Sequence, residues 1–195
     1  MTPVTRRRGA ALEQAILRAA VEELQEVGYR DLTMDGVAAR AGTAKNVIYR
    51  RWPSRAALCV AAYRQMIPLG ADGTPDTGSL RGDALALLTR ANDRMSSPVG
   101  QILRELLADI IHTEPQLMRE LRGQIATPGA GHWLTVLARA VARGEADPAA
   151  LTPRVATVAV DLLRNEYALN GAKSVTPEVL VEIVDQVFIP LTRQS

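Results

Sequence analysis

The 195-residue chain has one cysteine, Cys59, so an intrachain disulfide and a cysteine-cluster metal site are both excluded. Aromatic residues make up 4% of it, and after residue 64 only Trp133, Tyr167 and Phe188 remain. That is too few for an aromatic cage around a flat cationic ligand and favours a small or aliphatic one. No apolar run approaches the roughly 20 residues of a membrane span. The opening residues, "MTPVTRRRG", lead into no apolar core of a secretory leader. A soluble, cytoplasmic protein without membrane contact is expected. Catalytic signatures are missing too. His112 and His132 lack the H-E-x-x-H spacing, and neither a G-x-S-x-G elbow nor a phosphate-binding G-x-x-x-x-G-K is present. Gly129 and Gly131 of "PGAGHW" follow no strand, which argues against a dinucleotide loop. No enzyme activity, cofactor or metal is expected.

Acidic residues are absent from one stretch, "AGTAKNVIYRRWPSR", residues 41–55. Lys45, Arg50, Arg51 and Arg55 crowd there around Tyr49 and Trp52, where a solvated surface helix would carry Glu or Asp. The chain as a whole is nearly balanced at +2, but unevenly. Residues 1–64 hold 11 Lys or Arg against 6 Asp or Glu, a net +5, and residues 65–195 hold 12 against 15, a net −3. A basic first third on an acidic remainder points to an anionic partner at the N-terminal part. Only Lys45 and Lys173 are lysines, so arginine supplies 21 of the 23 cations. That fits bidentate phosphate contacts and a GC-rich genome equally.

Strand-like alternation is nearly absent, and the apolar residues follow a helical period. Leu12, Ala15, Ile16, Ala19, Leu24 and Val27 form one stripe, stopped by Gly28. Thr33 caps a short second helix to about Ala41, and Gly42 turns the chain into a third over about 44–51. Pro53 and Ser54 end that helix, and Ser54 caps a fourth through about Met66. "PLGADGTPDTGS", residues 68–79, reads as a linker. Beyond it, Ser97-Pro98, Thr127-Pro128, Thr152-Pro153 and Thr176-Pro177 each set a hydroxyl at a cap and proline in the first turn. Pro115 opens a helix without such a hydroxyl. The marks predict helices near 80–96, 98–113, 115–126, 128–143, 153–170 and 177–193. The expected fold is all-α, with a four-helix N-terminal unit over 1–66 and a larger helical C-terminal body over 67–195.

Helix, glycine turn, helix is the helix-turn-helix arrangement, whose second helix enters the DNA major groove. Val47, Ile48 and Trp52 are the residues available to face the core, which leaves Lys45, Asn46, Tyr49 and Arg50 outward. Arg pairs bidentately with guanine and Asn with adenine. Tyr49, Arg51 and Arg55 suit phosphate contacts, and Thr33 and Ser54 stand at helix N-termini, which attract phosphate. The segment "GYRDLTMDGVAARAGTAKNVIYRRWPSRAALCVAAY", residues 28–63, resembles the tetracycline-repressor (TetR) family of bacterial regulators. Thr33, the Ala38-Ala39 and Ala41-Gly42 run, Lys45, Ile48-Tyr49, Trp52 and Ser54-Arg55 fill its characteristic places. Ala44 and Val47 stand where the family often has phosphate-contacting hydroxyls. Gly36 replaces a larger residue, at a cost of about 1 kcal/mol in helix propensity.

The resemblance implies a homodimer on a palindromic operator, acting as a repressor released by a small molecule bound in the C-terminal body. Polar groups stranded on apolar faces mark a pocket. Candidates are Asn92, Asp109, His112 and Gln124, then His132, Trp133, Asn165 and Tyr167. The last two helices would pair with their symmetry mates. On the first of them Val155, Ala159, Leu162 and Leu163 are the interface candidates; on the second, Val179, Ile183, Val187 and Leu191. The alternative is a DNA-binding dimer whose body is a ligandless, partner-binding module.

Overall fold

The computed structural model describes residues 9–66, 73–169 and 174–193, and within these spans the side chains of residues 120 and 122–129 are not described. Among the described residues the chain is all-α and no strand occurs. The helices are α1 (Ala10–Asp31), α2 (Met34–Ala41), α3 (Lys45–Tyr49), α4 (Arg55–Met66), α5 (Leu80–Ser96), α6 (Pro98–Thr113), α7 (Pro115–Ala142), α8 (Pro153–Leu169), α9 (Pro177–Glu182) and α10 (Ile189–Thr192). No helix among these residues is long and apolar enough to cross a membrane. Two compact units form: Met1–Leu69 with Pro98–Leu121, and Gly70–Ser97 with Arg122–Ser195.

In the first unit α1 buries Ala15, Ile16, Ala19, Ala20 and Leu24, the helical stripe of the sequence, while Val27 stays exposed. Gly28, at φ 78°, breaks the helix, and Tyr29 and Leu32 turn back into the core. α1 packs against α2, α4 and α6, and α4 packs against α6. α6 presents Ile102, Leu106 and Ile110, spaced four residues apart, as its buried row. Burial pushes the Cys59 thiol of α4 up to about 12, so it stays protonated near neutral pH and serves as core.

The second unit has its own core. Leu80, Ala84, Leu87 and Leu88 of α5 meet Trp133, Val136 and Leu137 of α7 and Ala156, Ala159 and Leu163 of α8. Trp133 meets Phe188 edge-on, with ring centroids 5.1 Å apart. Residues 73–79 of the expected linker are tied down. Arg90 donates to Gly73 O at 2.7 Å, Arg139 to Pro75 O at 3.0 Å, and Thr74 Oγ1 lies 2.7 Å from His132 Nδ1. Asp83, fully buried, accepts from the Thr77 amide at 2.6 Å and its hydroxyl at 2.9 Å, with Arg143 3.6 Å from its other oxygen. The first part of the linker lies outside the described residues.

Three element expectations are corrected. The helices expected over 115–126 and 128–143 run as one, α7, through Thr127-Pro128. Proline removes one donor and crowds one carbonyl, which a long helix with many remaining bonds can absorb. The helix expected over 177–193 is instead α9, a π-turn segment Ile183–Phe188, and α10. Pro190 cannot donate to Gln186 and its ring crowds that carbonyl. The backbone widens so that the Ile189 amide donates to Val184 O, five residues back. Of the four expected hydroxyl caps, Thr152 caps α8, accepting from the Val155 amide at 3.3 Å. Ser97 instead donates back to Arg94 O at 2.7 Å, and Thr176 makes no side-chain cap bond. Thr127 lies inside α7, its side chain outside the described ones.

The Asn92 amide ties this core together. Its Nδ2 donates to Val175 O at 2.9 Å, and its Oδ1 accepts from the Tyr167 hydroxyl at 2.6 Å and from the Val175 amide at 3.3 Å. Asn92→Ala takes both bonds from the buried Val175 backbone. It should lower unfolding free energy by about 1–3 kcal/mol in urea denaturation. Asn165→Ala, at an exposed site, should change it by less than about 0.5 kcal/mol. Equal effects would show that the network carries no stability.

Candidate nucleic-acid interface

Two short helices and a three-residue turn build the interface. Thr33 Oγ1 accepts from the Gly36 amide at 3.0 Å and fixes the start of α2. At the other end Gly42 takes φ 65°, ψ 40°, with its amide bonded to Ala39 O at 3.2 Å and the Thr43 amide to Ala38 O at 3.0 Å. This is a Schellman closure, and its left-handed residue penalises any side chain with a Cβ. α2 is anchored on α1 by Arg40, whose guanidinium reaches Glu23 at 3.0 Å, Glu22 at 3.8 Å and also Glu26. Sequence reading missed that anchor, although the i, i+3/i+4 spacing of the three glutamates was visible. Gly36 is explained by the same contact. A Cβ there would collide with the Glu23 carboxylate, which lies over the first turn of α2.

α3 spans only five residues, and two large side chains hold it: Ile48, fully buried, and Trp52, buried just beyond its end. Val47 is half-buried. Asn46, Tyr49 and Arg50 are exposed, Tyr49 by 42%, and Lys45 is half-exposed. These four share the outer side of one helical turn and the residue after it. Thr33 and Arg51 are exposed as well, while Ser54 is half-buried and accepts from the Ala57 amide at 3.0 Å, capping α4.

The cations of this surface are unevenly committed. Lys45 Nζ sits 2.7 Å from Asp35, a contact that raises the lysine pKa. Arg51 lies 3.9 Å from Glu13, and among the described residues Arg50 carries no ion pair. Exposed pairs of this kind exchange readily for another anion. Arg55 differs. It stacks over the buried Tyr29 ring at 4.6 Å, donates to Arg30 O at 3.2 Å and lies 3.5 Å from Asp109. Tyr29 in turn donates its hydroxyl to Asp109. Burial and that bond push the tyrosine well above the ordinary phenol range.

Of the pocket candidates in the second unit, Asn92 and Tyr167 bond each other and Trp133 shares the core with Tyr167. Asp109 belongs to the Tyr29–Arg55 cluster of the first unit, and His112 is exposed at the end of α6. Asn92 and Tyr167 satisfy each other, Trp133 is 3% exposed against Phe188, and His132 bonds Thr74. Asn165 is exposed on α8, and the Gln124 side chain lies outside the described residues. The interface candidates divide. Ala159, Leu163 and Ile183 are buried within the protomer core. Val155, Leu162, Val179, Val187 and Leu191 are only partly covered.

Comparison with known proteins supplies the context. Residues 16–62 match the model for bacterial regulatory proteins of the tetR family, and residues 74–187 match the tetracyclin repressor-like C-terminal domain. A protein of Mycobacteroides abscessus named DNA-binding transcriptional repressor TetR is 31% identical over 95% of this chain and 96% of its own. An HTH-type transcriptional regulator of Mycobacterium bovis is 33% identical over 94% of this chain and 89% of its own. The crystal structure of a TetR family transcriptional regulator from Pseudomonas syringae superposes with a TM-score of 0.59 at 22% identity, covering 92% of this chain and 94% of that one. These relatives are regulators of transcription, not enzymes, and their match runs through both units. The chain belongs to the TetR family and is a DNA-binding transcriptional regulator.

Proposed function

We propose that this regulator is a cytoplasmic homodimeric repressor that reads a palindromic operator through α3 and is released by a small molecule held in its C-terminal unit. The observation that supports the DNA reading is the outward face of Lys45, Asn46, Tyr49 and Arg50, in a stretch of sequence without Asp or Glu, set on a helix whose other side is anchored by Ile48 and Trp52. Asn46 and Arg50 have the donor geometry for base edges. Lys45, Tyr49 and Arg51, with the capped starts of α2 and α4 at Thr33 and Ser54, are suited to phosphates. A relative named as a repressor supports repression over activation.

Dimerisation is supported by α8, which is apolar on two sides. Ala156, Ala159, Val160, Leu163 and Tyr167 line its buried side. Val155, Val158 and Leu162 recur on the other side with three- and four-residue spacing and are only partly buried, and Leu169 continues the row, 76% exposed. The protomer's own core covers Val155, Val158 and Leu162 only in part, and a two-fold partner would cover what remains. Together with Val179, Val187 and Leu191 this is the proposed interface. A ligandless body is the second reading. Asn92, Tyr167 and Trp133 favour it, because their polar and ring contacts are used inside the core.

Light scattering at micromolar concentration should return twice the 21.1 kDa chain mass, and Leu162→Asp should return the single mass with helicity retained. A wild-type mass of one chain would contradict the dimer. On an operator obtained by binding-site selection, Arg50→Ala should cost about 1–3 kcal/mol and relax sequence preference. Arg51→Ala should weaken all duplexes alike and flatten the salt dependence. Identical behaviour of the two variants across operator variants would refute this division. For release, a metabolite found by thermal shift should lower operator affinity ten- to hundredfold, a coupling of about 1.4–2.7 kcal/mol. A ligand that binds and leaves operator affinity unchanged would leave the ligandless module as the answer.

A further inference from the structure

We propose that Arg55 is a positioning residue of the recognition helix and not a phosphate ligand: with Tyr29 and Asp109 it fixes where α4 begins, and so where α3 lies. Its guanidinium makes three contacts inside the first unit although the side chain is 37% exposed. One face lies on the ring of Tyr29, which is itself 2% exposed. Nη1 donates to Arg30 O at 3.2 Å, and Nη2 faces the Asp109 carboxylate at 3.5 Å. Asp109 is held from its other side by the Tyr29 hydroxyl. One side chain therefore ties the end of α1, the start of α4 and the C-terminal part of α6. A swing out to a phosphate would break the stacking, the carbonyl bond and the carboxylate contact together, and would leave Asp109 with one partner fewer. The Arg51 and Arg55 side chains are similarly exposed, 33% and 37%, and what separates them is contacts: among the described residues Arg51 has one ion pair at 3.9 Å and Arg50 none.

Five residues, 50–54, separate Tyr49 at the end of α3 from Arg55 at the start of α4. That span has little slack. Arg51 and Trp52 amides bond Ile48 O at 2.9 and 3.0 Å, Trp52 is buried, and Ser54 caps α4. A shift of Arg55 therefore displaces α3. Specific recognition needs Arg50 and Asn46 at fixed distances from base edges, whereas non-specific phosphate attraction tolerates such a shift. A positioning role and a phosphate role thus differ in what they do to the two kinds of DNA. Lysine separates them again. It keeps the charge a phosphate would need, but cannot hold a carbonyl and a carboxylate with one planar fork while lying flat on a ring.

The experiment measures affinity for the selected operator and for a random-sequence duplex over a range of salt. It uses the full-length wild type, Arg55→Ala, Arg55→Lys, Tyr29→Phe and the double variant Arg55→Ala/Tyr29→Phe, each checked for folding by thermal melting. The proposal expects Arg55→Ala and Arg55→Lys to lose about tenfold in operator affinity alike, with random-duplex affinity and salt slope unchanged. Tyr29→Phe, which changes no charge, should lose several-fold in the same way, and the double variant should be little worse than Arg55→Ala because the residues act as one unit. The proposal is overturned if Arg55→Ala weakens both duplexes equally and lowers the salt slope by about one while Arg55→Lys restores binding. It is equally overturned if Tyr29→Phe leaves operator affinity at the wild-type value. If Arg55→Ala does not fold, Arg55→Lys and Tyr29→Phe, which keep the volume, decide the matter by the same criteria.

Discussion

A helix of five residues has no stability of its own, because nucleating a helical turn costs more than so few hydrogen bonds return. α3 is such a helix, and it carries the exposed Asn46 and Tyr49 and leads into the exposed Arg50. Its shape is imposed from outside. The Schellman turn at Gly42 sets its direction, and Ile48 and Trp52 sink into the core beneath it. The Arg40 contacts with three glutamates of α1 hold α2 in place beside it. The rest of the first unit works as a frame for these few residues, which explains a dense core in α1 and α4 under so short an outer element.

Charge is arranged on the same frame in two ways. Lys45 and Arg51 rest against Asp35 and Glu13 at the surface, where an incoming phosphate exchanges for a carboxylate at little cost. Arg40 and Arg55 bridge helices. Their carboxylates and, for Arg55, an aromatic face and a carbonyl make them part of the scaffold. Two arginines four residues apart in sequence, Arg51 and Arg55, thus belong to different systems. The first meets one carboxylate at 3.9 Å, and the second meets a ring, a carbonyl and a carboxylate.

Much of this was legible in the sequence. The apolar period marked α1, α5, α6 and α8 within a residue or two, and Thr33, Gly42 and Ser54 capped or turned the chain as their chemistry predicts. Buried Ile48 and Trp52 against exposed Asn46, Tyr49 and Arg50 followed from helical geometry alone. What was not legible depended on tertiary partners. Arg55 looks like Arg51 in a string of letters, and only the fold brings Asp109, over fifty residues away, to its side. Asn92 and Tyr167 looked like stranded pocket groups because the Val175 backbone that satisfies Asn92 arrives from a distant loop. α8 carries apolar residues on two of its sides, and periodicity cannot say which of them faces its own core; hence Ala159 and Leu163 proved internal. The expected helix over 177–193 already ran past Pro190, but apolar periodicity carries no sign of the π widening just before that proline.

The central claim is that DNA is met by the turn and helices around α3. Amide hydrogen exchange on the intact protein, free and saturated with an operator duplex obtained by binding-site selection, tests it most directly. The account predicts added protection concentrated in residues 33–55, on the exposed backbone of α3 and the capped starts of α2 and α4. Protection that left this segment unchanged and appeared instead on α5, α8 or α9 would contradict it.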